Sequence, residues 1–462
     1  MDEATDRAGG LGNGDERDEL MDDDDDAPEA VGATPEDDED ERAASVTRAH
    51  RVRADDLYGA LPVSRWAQTL LDLPPFARLA EVSLSDAPGD LLFRHPFPSR
   101  LTHSLGVYYL ARQARPRDRA LQAAALAHDL GHGPFSHLTE PLMIERLGMD
   151  HERRGVELLR RALAELRGTA ARLLAWLDAD EVAALMLGGG PEGRGQLLNG
   201  LLDYDNLDNV ARFLQAAELG VPGYDPRALA RELRLVPPAT PGAAPMVALS
   251  ADGVALAADW LADRGRVYRF LGQGERNLTM RGMLRKAVDL ATQARQIGPG
   301  FFDATDAHAL WLLRSGGAPG AAALVADVTH DRLYLPAWEA SAPEQAAALT
   351  DLFAHWRSRL EIEARVATEA ALPPHAVILS LTEARDQRAL PPILSTAERE
   401  RTAQARPIAP SQPRADVSAP DRAIHLFTPR GAGRDYVRRA RMAAERALGK
   451  LGAIPRAGVD SR

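Results

Sequence analysis

The chain has 462 residues, a formal charge of −12 and no cysteine. The length suits two or three domains with a sizeable core, and the missing thiols exclude disulfides, thiolate metal sites and cysteine nucleophiles. Residues 1–42 carry 19 acidic and three basic residues, a net −16 that leaves +4 on the remainder, so the overall charge says little about what the folded part binds. Neither a basic-then-apolar leader nor an apolar run of bilayer length stands out, and the expectation is a cytoplasmic protein with no membrane attachment.

In chain order, residues 1–45 include the acidic runs 22–26 and 36–41. They hold too little apolar surface to offset the entropy of ordering and are expected to form a disordered acidic tail. Residues 50–315 read as a helical domain. Trp66, Leu70, Leu71, Leu73 and Phe76 have helical spacing, interrupted by Pro74-Pro75. Apolar periodicity predicts helices over 101–112, 119–130, 152–177, 180–187 and 197–219. Gly188-Gly189-Gly190 and Gly220 stop the last two. Residues 237–245 read as a loop or hairpin connection, and with residues 246–253 they suggest a small β insertion near 237–253. Further helices are predicted over 254–261, 276–296 and 307–313. Residues 316–395 look α+β, with a strand near 375–381. The Arg-, Pro-, Ala- and Ser-rich stretch 396–420 reads as a linker. In 421–462 a strand at 424–427 precedes a basic helix over 436–451. The expected class is mostly α, with a smaller α+β C-terminal region.

The chemistry concentrates in residues 127–137, AHDLGHGPFSH. His128 stands beside Asp129, His132 and His137 follow, and Glu140 lies just beyond. Imidazole nitrogen and carboxylate oxygen together suit divalent metals such as Mn, Fe, Co, Ni or Zn. The apolar run 123–127 reads as a buried helix that would hold this pair rigidly, and Gly131 and Gly133 let the backbone turn closely around a ligand. A structural metal site, or histidines satisfied by core hydrogen bonds, is the bland alternative. His103 upstream and Asp205 downstream would complete a set of two histidines and two carboxylates. Such a set leaves positions open on a six-coordinate ion for water and a phosphoryl oxygen.

The order His103, His128-Asp129, Asp205 resembles the HD-domain phosphohydrolase superfamily. The longer wording, Arg100-x-x-His103-Ser-Leu-Gly followed by the eleven-residue block, is similar to its deoxynucleoside triphosphate triphosphohydrolase branch. The resemblance covers about residues 55–315 and implies an HD-domain helical fold. It implies that His103, His128, Asp129 and Asp205 hold a divalent ion, whether Mn, Mg, Fe, Co, Ni or Zn. His137 and Glu140 would be the catalytic His–acid pair. His132 and His151 would lie near the α-phosphate, with Glu152 orienting His151, and Arg100 would sit beside the nucleotide. Against these stand plainer readings: Arg100 pairing with a carboxylate, His151 capping a helix, Asp203 and Asp208 in local helix or surface roles.

Two substrate-binding positions depart from the family. Asn209 and Phe213 stand where it has a tyrosine and an aspartate that seat the deoxyribose, while Arg212 is kept. The resemblance implies a phosphohydrolase that releases nucleoside and triphosphate from a nucleoside triphosphate. Monoesterase or phosphodiesterase action on another phosphate ester is the alternative, as is a nucleotide- or nucleic-acid-binding regulator. It also implies a homo-oligomer. Nine Lys or Arg against two acids in 422–456 suggest either a solvated helix face or a nucleic-acid contact.

Overall fold

The computed structural model of the chain describes residues 51–92, 97–200, 202–236, 245–342, 348–349, 352, 356–382 and 423–456. The expected acidic tail, most of the expected loop at 237–245 and the expected linker at 396–420 lie outside these residues.

A hairpin comes first. Strand β1 (Arg51–Asp55) pairs antiparallel with β2 (Gly59–Val63). The Asp55 Oδ1 accepts the turn's Leu57 and Tyr58 N–H groups at 3.0 and 2.9 Å. Helices then dominate, and short polar side chains start most of those around the site. Ser99 caps α1 (Arg100–Ala114) and Asp118 caps α2 (Arg119–Ala127). Next comes α3 (Glu140–Leu147), then α4 (His151–Ala164), capped by Asp150, and α5 (Tyr204–Ala216), capped by Asp203. Every residue of α2 from Leu121 to Ala127 is buried. Its small side chains let α1 and the helix Ala179–Met186 both pack against it.

Two expected helices are shorter than their periodicity suggested. The one over 152–177 breaks after Ala164: Arg167 is extended, Gly168 has a φ of +62°, and a separate helix follows at Gly168–Leu173. The one over 197–219 begins at Tyr204, because Asp203 is extended (φ −147°, ψ 170°) and spends its carboxylate on capping. Other helices run longer. A hairpin of β3 (Leu233–Val236) with β4 (Met246–Leu249) supplies the expected β insertion. After it, α6 spans Gly253–Gln273 and α7 spans Glu275–Gln293. Then come α8 (Asp306–Ser315) and α9 (Pro319–Thr329). Among the described residues no helix is long and apolar enough to cross a membrane.

The C-terminal elements run β5 (Leu335–Ser341), α10 (Trp356–Glu369), β6 (Ile378–Thr382), β7 (Ala423–Thr428), α11 (Arg434–Gly449) and β8 (Ile454–Pro455). The strands form one antiparallel sheet in the order β6-β7-β5-β8, a β-α-β-β-α-β ferredoxin-like arrangement. Strand β7, from the stretch expected to stand apart, lies between β6 and β5. Ala440, Ala443, Ala444, Ala447 and Leu448 of α11 pack on one face of this sheet. Ile378 and Phe427 face the other way, into the cluster that contains α7. Gly282 makes that approach possible, since a Cβ there would stand 2.6 Å from both Ile378 and Ser380.

Leu130 belongs to the cluster built on α1, α2 and α5, while Phe135 belongs to the cluster built on α7 to α9. The chain between them crosses the seam of two cores, and the site lies at that crossing.

Candidate active site

His103 sits in the first turn of α1 and is fully buried. His128 is the C-cap of α2, still with helical dihedrals (φ −56°, ψ −35°). Each ring is pinned from behind by its Nδ1. That of His103 lies 2.8 Å from Asp208 Oδ1, and that of His128 lies 2.8 Å from the Ala125 carbonyl oxygen. Both therefore turn Nε2 to a common point, where the two atoms are 3.3 Å apart. Asp205 Oδ1 is 2.9 Å from His103 Nε2 and 4.0 Å from His128 Nε2. Asp129 reaches His128 Nε2 at 3.5 Å and His103 Nε2 at 3.7 Å.

These residues fit a divalent ion. Bonds of about 2.0–2.2 Å place neighbouring donors about 3 Å apart, close to the separations found. Tying the second ring nitrogen to a carboxylate or carbonyl is how metal-binding histidines are oriented. The charges agree. Burial disfavours a charged Asp129, but Arg100, 2.8 Å away, and the neighbouring histidines outweigh it and hold the carboxyl well below its usual range. Burial likewise opposes a charged His103, yet Asp205 and Asp208 outweigh it and lift its pKa to about 9. The point where the donors meet attracts positive charge.

The next residues form a second group. Leu130 and His132 give their carbonyls to Arg78, and Gly131 gives its carbonyl to Arg154. A Cβ on Gly131 would stand 1.8 Å from the His151 carbonyl, so this glycine lets α4 close on the loop. His151 thereby stacks on His132, with centroids 3.9 Å apart and planes at 15°. Phe135 and Ser136 adopt left-handed backbone (φ 59° and 50°). Asp306 holds this costly turn by accepting the Phe135 N–H at 2.8 Å. Beyond it, His137 meets the His132 ring edge-on at 4.7 Å.

Glu140 binds two imidazoles at once. Its Oε2 is 2.8 Å from His137 Nδ1, and its Oε1 meets His151 Nδ1 and the His151 backbone N–H. Burial opposes its charge, but these two histidines outweigh it and hold the carboxyl far below the usual range. The same bond, working against burial, raises His151. Burial, then Arg100 and His151, push His132 well below an ordinary imidazole. His132 is buried, with no hydrogen-bond partner among the described residues, although its Nε2 lies 3.3 Å from Asp129 Oδ1. His132, His137 and His151 each offer a nitrogen within 4.8 Å of the others.

All four expected metal ligands thus converge, and His132, His137, Glu140 and His151 form the adjoining wall. Other positions differ from expectation. The Arg100 side chain is buried and bonds Asp129, Ser136 and the Leu84 carbonyl, which favours the carboxylate-pairing role over contact with a nucleotide. Glu152 does not orient His151: it accepts from Asn199 at 2.9 Å, and Glu140 does the orienting. His151 opens α4, while Asp150 caps it. Asp203 has the expected local role as cap of α5, but Asp208 is no surface residue; it is fully buried behind His103. Asn209 is half-buried on α5, and Phe213 lies in the hydrophobic core. Sequence reasoning missed Asp208 as a partner of His103. The signal was present: Asp205, Asp208 and Arg212 fall three and four apart, on one helical face.

Residues 100–218 match the family model of the HD domain. The chain therefore carries an HD domain. Within it, the chain is 34% identical over 128 residues to the chicken (Gallus gallus) deoxynucleoside triphosphate triphosphohydrolase SAMHD1, covering 23% of this chain and 20% of that protein. It is 32% identical over 124 residues to the human (Homo sapiens) protein of the same name, again covering 23% of this chain and 20% of the relative. The uncharacterized protein YwfO of Bacillus subtilis is 45% identical over 74 residues, 13% of this chain and 16% of its own length. The chain resembles the triphosphohydrolase branch of HD phosphohydrolases, and it spans about a fifth of the length of the curated relatives it matches.

Proposed function

We propose that the protein is a metal-dependent phosphohydrolase acting on nucleoside triphosphates, with release of nucleoside and triphosphate. The observation that carries this reading is the meeting of His103, His128, Asp129 and Asp205 beside a wall of three histidines, two of them held by one carboxylate. The names of the chicken and human relatives support the substrate class.

A divalent ion held by the four ligands would polarise a phosphoryl oxygen and lower the pKa of its water. The chain's own residues supply the rest. His151, whose charged form Glu140 favours against burial, is the donor for a phosphate oxygen, and His132, held well below an ordinary imidazole, completes the surface that receives it. Environments that push two neighbouring titratable groups apart in this way mark separate acid and base roles. His137, whose side chain is 45% exposed, is the group free to pass a proton to the leaving oxygen, with Glu140 fixing its ring. Arg100 keeps Asp129 ionised.

Asn209 and Phe213 favour a pocket that does not read the sugar as the family does. The half-buried amide is shorter than a tyrosine, and the buried phenyl ring lacks the carboxylate of an aspartate. A product assay tests the reading. Purified protein with Mn²⁺, Mg²⁺, Co²⁺ or Fe²⁺ would meet a panel of dNTPs, NTPs, monophosphates and phosphodiesters, with products resolved by mass. Nucleoside plus inorganic triphosphate is expected. Orthophosphate from a monophosphate would move the activity to phosphomonoester hydrolysis. Turnover of nothing in the panel would overturn the proposal. The basic segment adds little to it: Arg438 and Arg439 meet Asp435, Arg441 meets Glu445 and Arg446 meets Glu369, as on a solvated helix face.

A further inference from the structure

Behind His103 a chain of charges runs away from the site and ends in the β1–β2 hairpin. Asp208 Oδ1 takes both His103 Nδ1 at 2.8 Å and Arg212 Nε at 2.5 Å. Nη2 of the same guanidinium donates to Asp55 Oδ2 at 2.8 Å. The second oxygen of Asp55 holds the hairpin turn through Leu57 and Tyr58. Arg212 also lies over the Tyr58 ring, 5.6 Å from its centroid. Hairpin turn, Asp55, Arg212, Asp208 and His103 are thus joined by consecutive hydrogen bonds.

These charges are deeply placed: the side chains of Asp55, Arg212 and Asp208 are 3%, 6% and 0% exposed. Burying three ionised groups is costly, and apolar residues of similar volume would often stabilise a core as well or better. The helix opposite is shaped to admit them. A Cβ on Gly106 of α1 would stand 1.9 Å from Asp208 Oδ2 and 2.5 Å from Arg212 Nη2. What the relay supplies that apolar packing would not is a direction and a tautomer for one imidazole. With an ion bound, the acceptor on Nδ1 would keep the proton there and leave the Nε2 lone pair for the ligand cluster. The guanidinium fork in turn fixes where the Asp208 carboxylate sits.

We propose that the β1–β2 hairpin is part of the metal centre, with Asp55 acting through Arg212 and Asp208 to position His103 and so to set metal affinity. This rests on the reading of His103 as a metal ligand. Asp55, Arg212 and Asp208 are positioning residues, and none of them touches the ion or the substrate.

The test uses the full chain and Co²⁺ as the probe. Affinity is read by competition with a chelator, ligand geometry by the visible Co²⁺ spectrum, and folding by thermal unfolding of the metal-free protein. Asp208→Asn should weaken Co²⁺ binding about 10- to 100-fold, as for other outer partners of metal-binding histidines. Asp55→Asn, which can still accept the hairpin N–H groups, and Arg212→Lys, which keeps the charge without the fork, should each weaken it about threefold to tenfold and alter the spectrum. The effect of Asp55→Asn should vanish in a His103→Ala background, because coupled residues are not additive. Affinity and spectrum unchanged in Asp55→Asn would overturn the proposal. So would an equal loss with and without His103, which would mark a general loosening of the fold. If either variant fails to fold, the other decides. Wild-type protein that binds Co²⁺ through His103 yet hydrolyses no phosphate ester would sink the proposed activity and leave the relay standing. Wild-type protein that binds no Co²⁺ would overturn the relay.

Discussion

The candidate metal-ligand cluster and the histidine wall beside it are built from the same residue types but held in opposite ways. In the first, every ring has its own anchor: His103 on Asp208, His128 on the Ala125 carbonyl, with Asp129 tied to Arg100. The anchors lie deep in the core, and His103 and Asp129 are buried. In the second, one carboxylate, Glu140, holds both His137 and His151, and His137 opens to solvent. Independent anchors suit atoms that must stay fixed around an ion. A shared anchor suits imidazoles that gain and lose protons, since whichever ring is charged finds the same carboxylate. The two halves should therefore separate in experiment: one governs metal binding, the other governs rate.

Replacing both His128 and Asp129 by Ala should break the first half completely. Bound metal and all phosphohydrolase activity should disappear, and turnover at the wild-type rate would show that the ion sits elsewhere. His137→Ala should lower kcat roughly 100-fold or more, as for a lost acid–base group. Its metal content, read by elemental analysis, should match wild type at one ion per chain. If the ion is lost as well, or wild type holds two, the three histidines are ligands and the two halves form one metal site.

Glu140→Gln should cost activity roughly 10- to 100-fold, as for other carboxylates that orient a functional imidazole, and should leave a signature in stability. Glu140, whose carboxyl is held below its ordinary 4.5, adds stability that is complete above about pH 4.5. That part is lost as the pH falls through its depressed folded value. His151 is held above its ordinary 6.5 and adds stability that is complete below about pH 6.5. That part is lost as the pH rises through its raised folded value. The difference in Tm between wild type and Glu140→Gln should thus peak between pH 4.5 and 6.5 and shrink on either side. A difference that does not vary with pH would detach Glu140 from its histidines. The smallest effect is expected at Glu152, whose partner is Asn199: Glu152→Gln should change kcat by less than about twofold. A larger loss would restore the orienting role that the resemblance assigned to it.

Much of the site was legible because it is local. His128, Asp129, His132, His137 and Glu140 lie within thirteen residues, and the buried Ala-rich run before them was plain from composition alone. Less was legible where one residue type serves two purposes. Asp203, Asp205 and Asp208 are alike as letters, yet one caps α5, one joins the ligand cluster and one backs His103. The periodicity that suggested one helix over 152–177 runs through Leu166 and Arg167 without a break, and Gly168 alone hinted at the stop.

Residue spacing along the chain specifies a mostly helical protein, a His-Asp pair that follows a buried helix, and the histidines that stand near it. Those properties follow from side-chain spacing along a helix and from short-range ligand chemistry. Long-range packing settles the rest: Glu140 and not Glu152 orients His151, Arg100 pairs with Asp129, and β7 slots between β6 and β5. Packing also connects Asp55 to His103 through Arg212 and Asp208. Each of these joins residues far apart in the chain. Which carboxylate meets which cation across such a gap depends on how helices close on one another, and that closure is fixed by core packing and by glycines such as Gly106 and Gly131.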